Sequence, residues 1–189
     1  MPKDQPAQFE VTETEVAFRG RIWNVQRETF HFGGGSLTRE FVDHPGAVAV
    51  IALNDEGEVL MLRQYRHPVR SYLWEIPAGL LDVAGESREA AAERELLEET
   101  GYQAAKIEFL TEFYTTPGGN NETIWIYLAT GLRLVGHEIE LEGEELELEV
   151  RWVPLEEALR SVMAAEIKNP SAAFAVMALA LRLGLRADV

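Results

Sequence analysis

Residues Gly46 to Leu53 read Gly-Ala-Val-Ala-Val-Ile-Ala-Leu, an almost unbroken run of small and apolar side chains. A strand with one wet face would place a polar residue at every second position. A strand buried on both faces does not. The segment is therefore expected to be a central strand, and it commits the chain to a layered fold. Asn54-Asp55-Glu56-Gly57 follows as a turn, and Glu58 to Tyr65 returns as a second strand running into Arg66. Trp74-Glu75-Ile76-Pro77-Ala78-Gly79 closes a short strand into a loop, because Pro77 and Gly79 both resist continuation. The pattern then changes to helix. Arg88 to Thr100 are nearly all strong helix formers, Glu86 or Ser87 can cap the start, and Gly101 stands where a helix stops.

Downstream, Ile107 to Tyr114 and Thr123 to Ala129 are expected strands, separated by a Thr115-Thr116-Pro117-Gly118-Gly119-Asn120-Asn121 loop. Ile139 to Val150 alternates leucine with glutamate, as an exposed strand or hairpin would. Pro154 to Ala164 and Ser171 to Leu185 read as two helices. Upstream, Phe9 to His44 scatters apolar residues among polar ones, with Gly33-Gly34-Gly35 as a turn between short strands. That meander is either an edge subdomain or a dimerisation arm. Strands interleaved with helices give an α/β (α+β) fold. The division expected is 1–44 for the strand arm and 45–189 for the main domain.

Composition narrows the function. The chain has 189 residues, 47% of them hydrophobic, enough for one well-packed domain with an appendage. Lys and Arg number 17 against 32 Asp and Glu, a formal charge of −15, and the sequence pI is near 4.7. So acidic a surface repels phosphate backbones and anionic membranes, so neither nucleic acid nor membrane is an expected partner. Without cysteine there are no disulfides, thiolate zinc sites, iron–sulfur clusters or cysteine nucleophiles. No apolar leader follows Met1, and the longest apolar run, Ala172 to Leu181, is too short to span a bilayer. A soluble cytoplasmic protein is expected.

His31, His44, His67 and His137 lack metal-ligand spacing and read as structural or surface residues, and no nucleophile elbow, P-loop or dinucleotide fingerprint occurs. The informative segment is Arg94-Glu95-Leu96-Leu97-Glu98-Glu99-Thr100-Gly101. Glu95 and Glu99 lie one helical turn apart on one face, with Glu98 beside them and Glu86 near the helix start. Carboxylates so crowded repel unless something compensates. Arg94 can neutralise one charge and a divalent cation two. Hard oxygen ligands favour Mg²⁺, with Mn²⁺ as a substitute, bridging to a substrate phosphate. The plainer alternative is a solvated, glutamate-rich helix face.

Gly79, Glu86, Arg94-Glu95, Glu98-Glu99 and Gly101, with Leu96 and Tyr102 at the apolar positions, together resemble the Nudix box of the Nudix hydrolases. Seven residues separate Glu86 from Arg94, as the box requires. The one departure is upstream, where six residues rather than five, Leu80 to Gly85, separate Gly79 from Glu86. An extra loop residue leaves the helix register unchanged. Pro117, placed 15 residues after Tyr102, is similar to the mark of the ADP-ribose pyrophosphatases. Arg63 to Arg66 and Trp74 to Gly79 resemble that subfamily's strand and pre-box segment.

The resemblance implies a Nudix fold, a mixed sheet sandwiched between helices, with an N-terminal antiparallel strand arm that builds a homodimer. It implies Mg²⁺-dependent hydrolysis of ADP-ribose to AMP and ribose 5-phosphate. Metal ligands would be Glu95, Glu99, the neighbouring Glu98, Glu86 and the backbone carbonyl of Ala78. Arg94 would hold a box glutamate in place. The base would be a glutamate following the box; Gly143-Glu144-Glu145 leaves Glu144 and Glu145 as candidates. Arg63 and Arg66 are expected to contact phosphate, Glu122 with Pro117 to lie near the ribose, and Trp23 or Phe32 to stack on adenine. Rival readings are the same chemistry on a nucleotide sugar or NADH, a non-catalytic Nudix domain that senses a nucleotide, or an acidic interaction module.

Overall fold

The N-terminal segment forms a three-stranded antiparallel sheet, ordered β1 (Val11–Arg19), β2 (Asn24–Phe32), β3 (Gly35–Asp43). Gly33 and Gly34 make the two-residue connection between β2 and β3, with φ of +60° and +85°. A tight hairpin of this class needs positive φ at both central residues, which only glycine adopts freely. Cross-strand pairs hold the sheet: Arg27 bridges Glu15 and Glu40, and the hydroxyls of Thr29 and Thr38 meet at 2.9 Å. Residues 114–122 belong to the same compact unit. Asn120 pairs with Val42, and Asn121 donates its side-chain N–H to Asp43.

The second unit comprises Gly46–Phe113 and the chain from Thr123. Its strands are β4 (Ala47–Ala52), β5 (Glu58–Arg66), β6 (Ser71–Glu75), β7 (Ala78–Leu80), β8 (Tyr102–Tyr114), β9 (Thr123–Leu134) and β10 (Glu149–Pro154). Its helices are α1 (Arg88–Thr100), α2 (Leu155–Met163) and α3 (Pro170–Arg182). The computed structural model describes residues 1–136 and 148–185. One sheet runs β10-β5-β6 and the other β7-β4-β9-β8, in which β4 lies antiparallel to β7 and parallel to β9.

Every residue of β4 is buried. Val48, Val50 and Ala52 pack with Ala91, Ala92 and Leu96 of α1. Ala47, Ala49 and Ile51 face the other way, into a cluster with α2 and α3. The expected central strand and its sandwiching helices are thus present, and the fold is α+β.

α1 covers the expected residues. Of the two cap candidates, Ser87 takes the role, its hydroxyl accepting from the Ala90 N–H at 3.2 Å. Gly101 ends the helix with φ +70° and donates its N–H to the Leu97 carbonyl. The Trp74–Gly79 segment differs from the expectation. The chain breaks at Ile76 and Pro77, then resumes as β7, placing Gly79 in a strand opposite Val48 rather than in a loop. Pro77 lacks an N–H but its carbonyl still accepts from Val50 N–H at 2.8 Å, so the break costs no pairing on β4. β8 and β9 are longer than expected because they continue past their apolar centres as a hydrogen-bonded pair. Of the alternating Ile139–Val150 segment, residues 139–147 lie outside the described residues. No helix among the described residues is long and apolar enough to cross a membrane.

The two-sided core yields a contrast. Leu96→Ala, at a fully buried position, is expected to cost about 2–5 kcal/mol of stability. Leu181→Ala, 77% exposed on α3, is expected to stay within about 0.5 kcal/mol. Chemical denaturation of both variants checks this.

Candidate functional site

α1 presents its acidic side chains at the edge where β7 passes. Arg94 is the organising residue. Its Nε and Nη2 donate to the two oxygens of Glu86, each at 3.0 Å. Its Nη1 donates to Glu95 at 2.5 Å and to Glu98 at 3.1 Å. One guanidinium thus engages three carboxylates, using the fork geometry that lysine lacks. Glu99 turns to the strand, where its Oε2 accepts from the Ala78 N–H at 3.0 Å.

The electrostatics follow from these contacts. The hydrogen bond to Glu86, aided by Glu95 and Glu98, holds the Arg94 guanidinium above its ordinary range against the effect of burial. The same bond draws the Glu86 carboxyl below the usual carboxylate range. Glu95 moves the other way. Its burial raises it, Arg94 opposes the rise, and the nearby charges of Glu98 and Glu86 add to it.

Gly79 is matched to Glu95. A Cβ at position 79 would fall inside the Glu95 carboxylate. Gly79 does not have positive φ, so close approach, not backbone conformation, excludes a side chain here. Glu95 and Glu99, one turn apart, therefore both meet β7, one against Gly79 and the other on Ala78.

Among the described residues, no three acidic or histidine side chains surround one point as metal ligands do. Arg94 and the Ala78 N–H take the oxygens instead. The donor set still fits a hard divalent cation. It offers four carboxylates around one stretch of helix, and β7 leaves Glu95 a place with no side chain in it. A cation entering here would replace Arg94 as partner for some of these oxygens.

The other expected residues are distributed as follows. Arg63, on β5, lies over the Tyr72 ring at 4.8 Å and pairs with Glu149 at 3.4 Å. Arg66 donates from Nε and Nη2 to both oxygens of Glu75, at 2.9 and 2.7 Å. Trp23, Phe32, Pro117 and Glu122 lie in the first unit. Trp23 stacks on His44 at 4.3 Å. His44 Nε2 lies 3.1 Å from Glu122, whose other oxygen accepts from the Thr115 hydroxyl at 2.6 Å. Phe32 packs against Phe9 and is half exposed. Pro117 lines a shallow cavity of about 350 Å³ beside Arg39 and Phe41. Glu144 and Glu145 lie outside the described residues. Sequence reading passed over Glu75 and the tie between His44 and Glu122. Its only signal for the first was a lone carboxylate between Trp74 and Ile76.

The Gly79 contact is directly testable. Gly79→Ala is expected to keep the fold, since alanine accepts this backbone, while displacing Glu95. Calorimetric titration of Mn²⁺ into the protein should then show affinity weakened by about 10–100-fold. Unchanged affinity would remove Glu95 from the centre.

The NUDIX domain family model matches residues 43–174. The chain is 45% identical over 171 residues to an ADP-ribose pyrophosphatase of Mycobacterium tuberculosis (strain ATCC 25618 / H37Rv), covering 90% of this chain and 82% of that protein. It is 41% identical over 175 residues to an ADP-ribose pyrophosphatase of Bacillus subtilis (strain 168), covering 92% and 94%. A crystal structure of an ADP compounds hydrolase matches with a TM-score of 0.78 at 24% identity, over 96% of this chain and 97% of that one, a likeness of fold. A glutamate-bearing α1 organised by Arg94, in a fold of this kind and with relatives of this similarity, has one reading: the chain belongs to the Nudix family.

Proposed function

We propose that this protein hydrolyses the diphosphate of ADP-ribose to AMP and ribose 5-phosphate, with Mg²⁺ as cofactor. The observation that carries the chemistry is the α1 cluster, in which Arg94 gathers Glu86, Glu95 and Glu98 while Glu99 bonds to Ala78. The substrate assignment draws support from the two relatives named ADP-ribose pyrophosphatase, which match over most of this chain.

In this reading Glu95 and Glu99 are the principal ligands, with Glu98, Glu86 and the Ala78 carbonyl completing the set. A bound Mg²⁺ would offset the charge of the diphosphate, polarise its phosphoryl oxygens and lower the pKa of a water. Arg94 holds the Glu86, Glu95 and Glu98 carboxylates in place through its hydrogen bonds. Arg63 and Arg66 supply cationic contacts at the end of β5. Glu144 or Glu145 accepts the proton of the attacking water. The water oxygen bonds to one phosphorus, the bridging P–O bond breaks, and the other phosphate leaves with the bridging oxygen.

Purified protein with ADP-ribose and Mg²⁺ is expected to release AMP and ribose 5-phosphate, in preference to cleaving GDP-sugars or NADH. Glu99→Gln and Glu95→Gln are expected to lower kcat/KM by about 100-fold or more, since each removes charge that holds the cation. Faster cleavage of another member of the panel would overturn the substrate. Unimpaired Glu99→Gln would overturn the site.

We also propose that the N-terminal sheet mediates a homodimer. Phe18 and Ile22 are 63% and 70% exposed there, in a meander with little core of its own. Light scattering should report a dimer, and the double variant Phe18→Glu with Ile22→Glu should run as a monomer.

A further inference from the structure

Glu75 is an anomaly in an otherwise apolar stretch. It is 5% exposed, flanked by Trp74 and Ile76, at the last position of β6. A carboxylate buried there is tolerable only if paired, and Arg66 pairs it through two parallel hydrogen bonds of 2.9 and 2.7 Å. Arg66 remains 43% exposed, so the pair is solvated on the arginine side and dry on the glutamate side.

The position of this pair gives it a consequence. From Glu75 the chain leaves the β10-β5-β6 sheet and, after Ile76 and Pro77, enters β7 of the other sheet. Each residue of the crossing is fixed. Ile76 is buried in the core, the Pro77 carbonyl accepts from Val50, and Ala78 pairs with Ala49 and donates to Glu99. The Arg66–Glu75 pair fixes the upstream end of this crossing, and it does so from β5. Only Ile76 and Pro77 separate Glu75 from Ala78, so a shift at the first is transmitted to the second through a segment with no slack. The next residue, Gly79, meets the Glu95 carboxylate with no room to spare.

We infer that Glu75 is a positioning residue, which through Arg66 sets the place of Ala78 and Gly79 against Glu99 and Glu95 and so tunes the affinity of the carboxylate cluster for a divalent cation. This rests on the metal reading given above. It gives Arg66 a role upstream of any phosphate contact, and it explains why an arginine rather than a lysine stands there: only the planar fork engages both oxygens of Glu75.

The test titrates Mn²⁺ into the metal-free full-length protein by calorimetry, without substrate. The variants are Glu75→Gln, Arg66→Lys and the two combined, with thermal unfolding of each. Each single variant is expected to weaken Mn²⁺ binding about tenfold, and the double variant no further than the weaker single, because both remove one interaction. Leu179→Ala, a core truncation in α3, serves as reference. It should lower the melting temperature and leave Mn²⁺ affinity unchanged, which separates positioning from general loss of stability. If Glu75→Gln fails to fold, Arg66→Lys decides alone. Wild-type Mn²⁺ affinity in the folded single variants overturns the inference, as does a raised KM for ADP-ribose in Arg66→Lys with Mn²⁺ affinity intact. An additive double variant overturns it as well. Glu99→Gln tests the underlying reading separately: if it binds Mn²⁺ as well as the wild type, the metal centre itself is misplaced.

Discussion

Neither face of β4 touches water, and the second unit is arranged around that constraint. A strand with alternating apolar residues would need one cover; β4 needs two. α1 supplies one through Ala91, Ala92 and Leu96, and α2 and α3 supply the other. Once α1 is pressed onto β4 by its small residues, its remaining faces have fixed directions. The glutamates at 95 and 99 then turn toward β7, which is also hydrogen-bonded to β4. Helix and edge strand share one neighbour, so the core brings them side by side and their polar groups meet between them.

The chemistry of the cluster depends on a balance of charge. Four carboxylates in so small a space would repel one another strongly in a partly dry setting. Arg94 reduces that repulsion by engaging three of them, and backbone N–H donation from Ala78 takes up the fourth. Without a cation the cluster is therefore compensated only in part, one guanidinium charge against four carboxylates. A cation entering here would compete with a partner already present.

Much of this was legible in the sequence because it is local. Ser87, the helix formers after it and Gly101 act through contacts three or four residues apart, so α1 could be placed to the residue. The burial of β4 was legible from composition alone. The grouping of Glu95, Glu98 and Glu99 followed from helical periodicity. What the sequence did not disclose depends on partners far along the chain. Gly79 read as loop punctuation, but it is a strand residue whose lack of a side chain answers Glu95. The bond between Arg66 and Glu75 runs through a hairpin register that no local pattern encodes. Glu122 and His44 likewise meet only because residues 114–122 return beside β3.

The parallel pairing of β4 with β9 also bears on how the protein is made. Ala47 lies against Ile124, and α1 falls in the chain between them. As the polypeptide emerges from the ribosome, α1 can acquire its turns early, since its hydrogen bonds and caps are all near neighbours. Closing the sheet must wait until β9 has been synthesised and a long loop has been drawn shut. In a nascent chain the acidic helix thus precedes its complete frame, and its meeting with β7 at Ala78 and Gly79 is completed only once the sheet has closed.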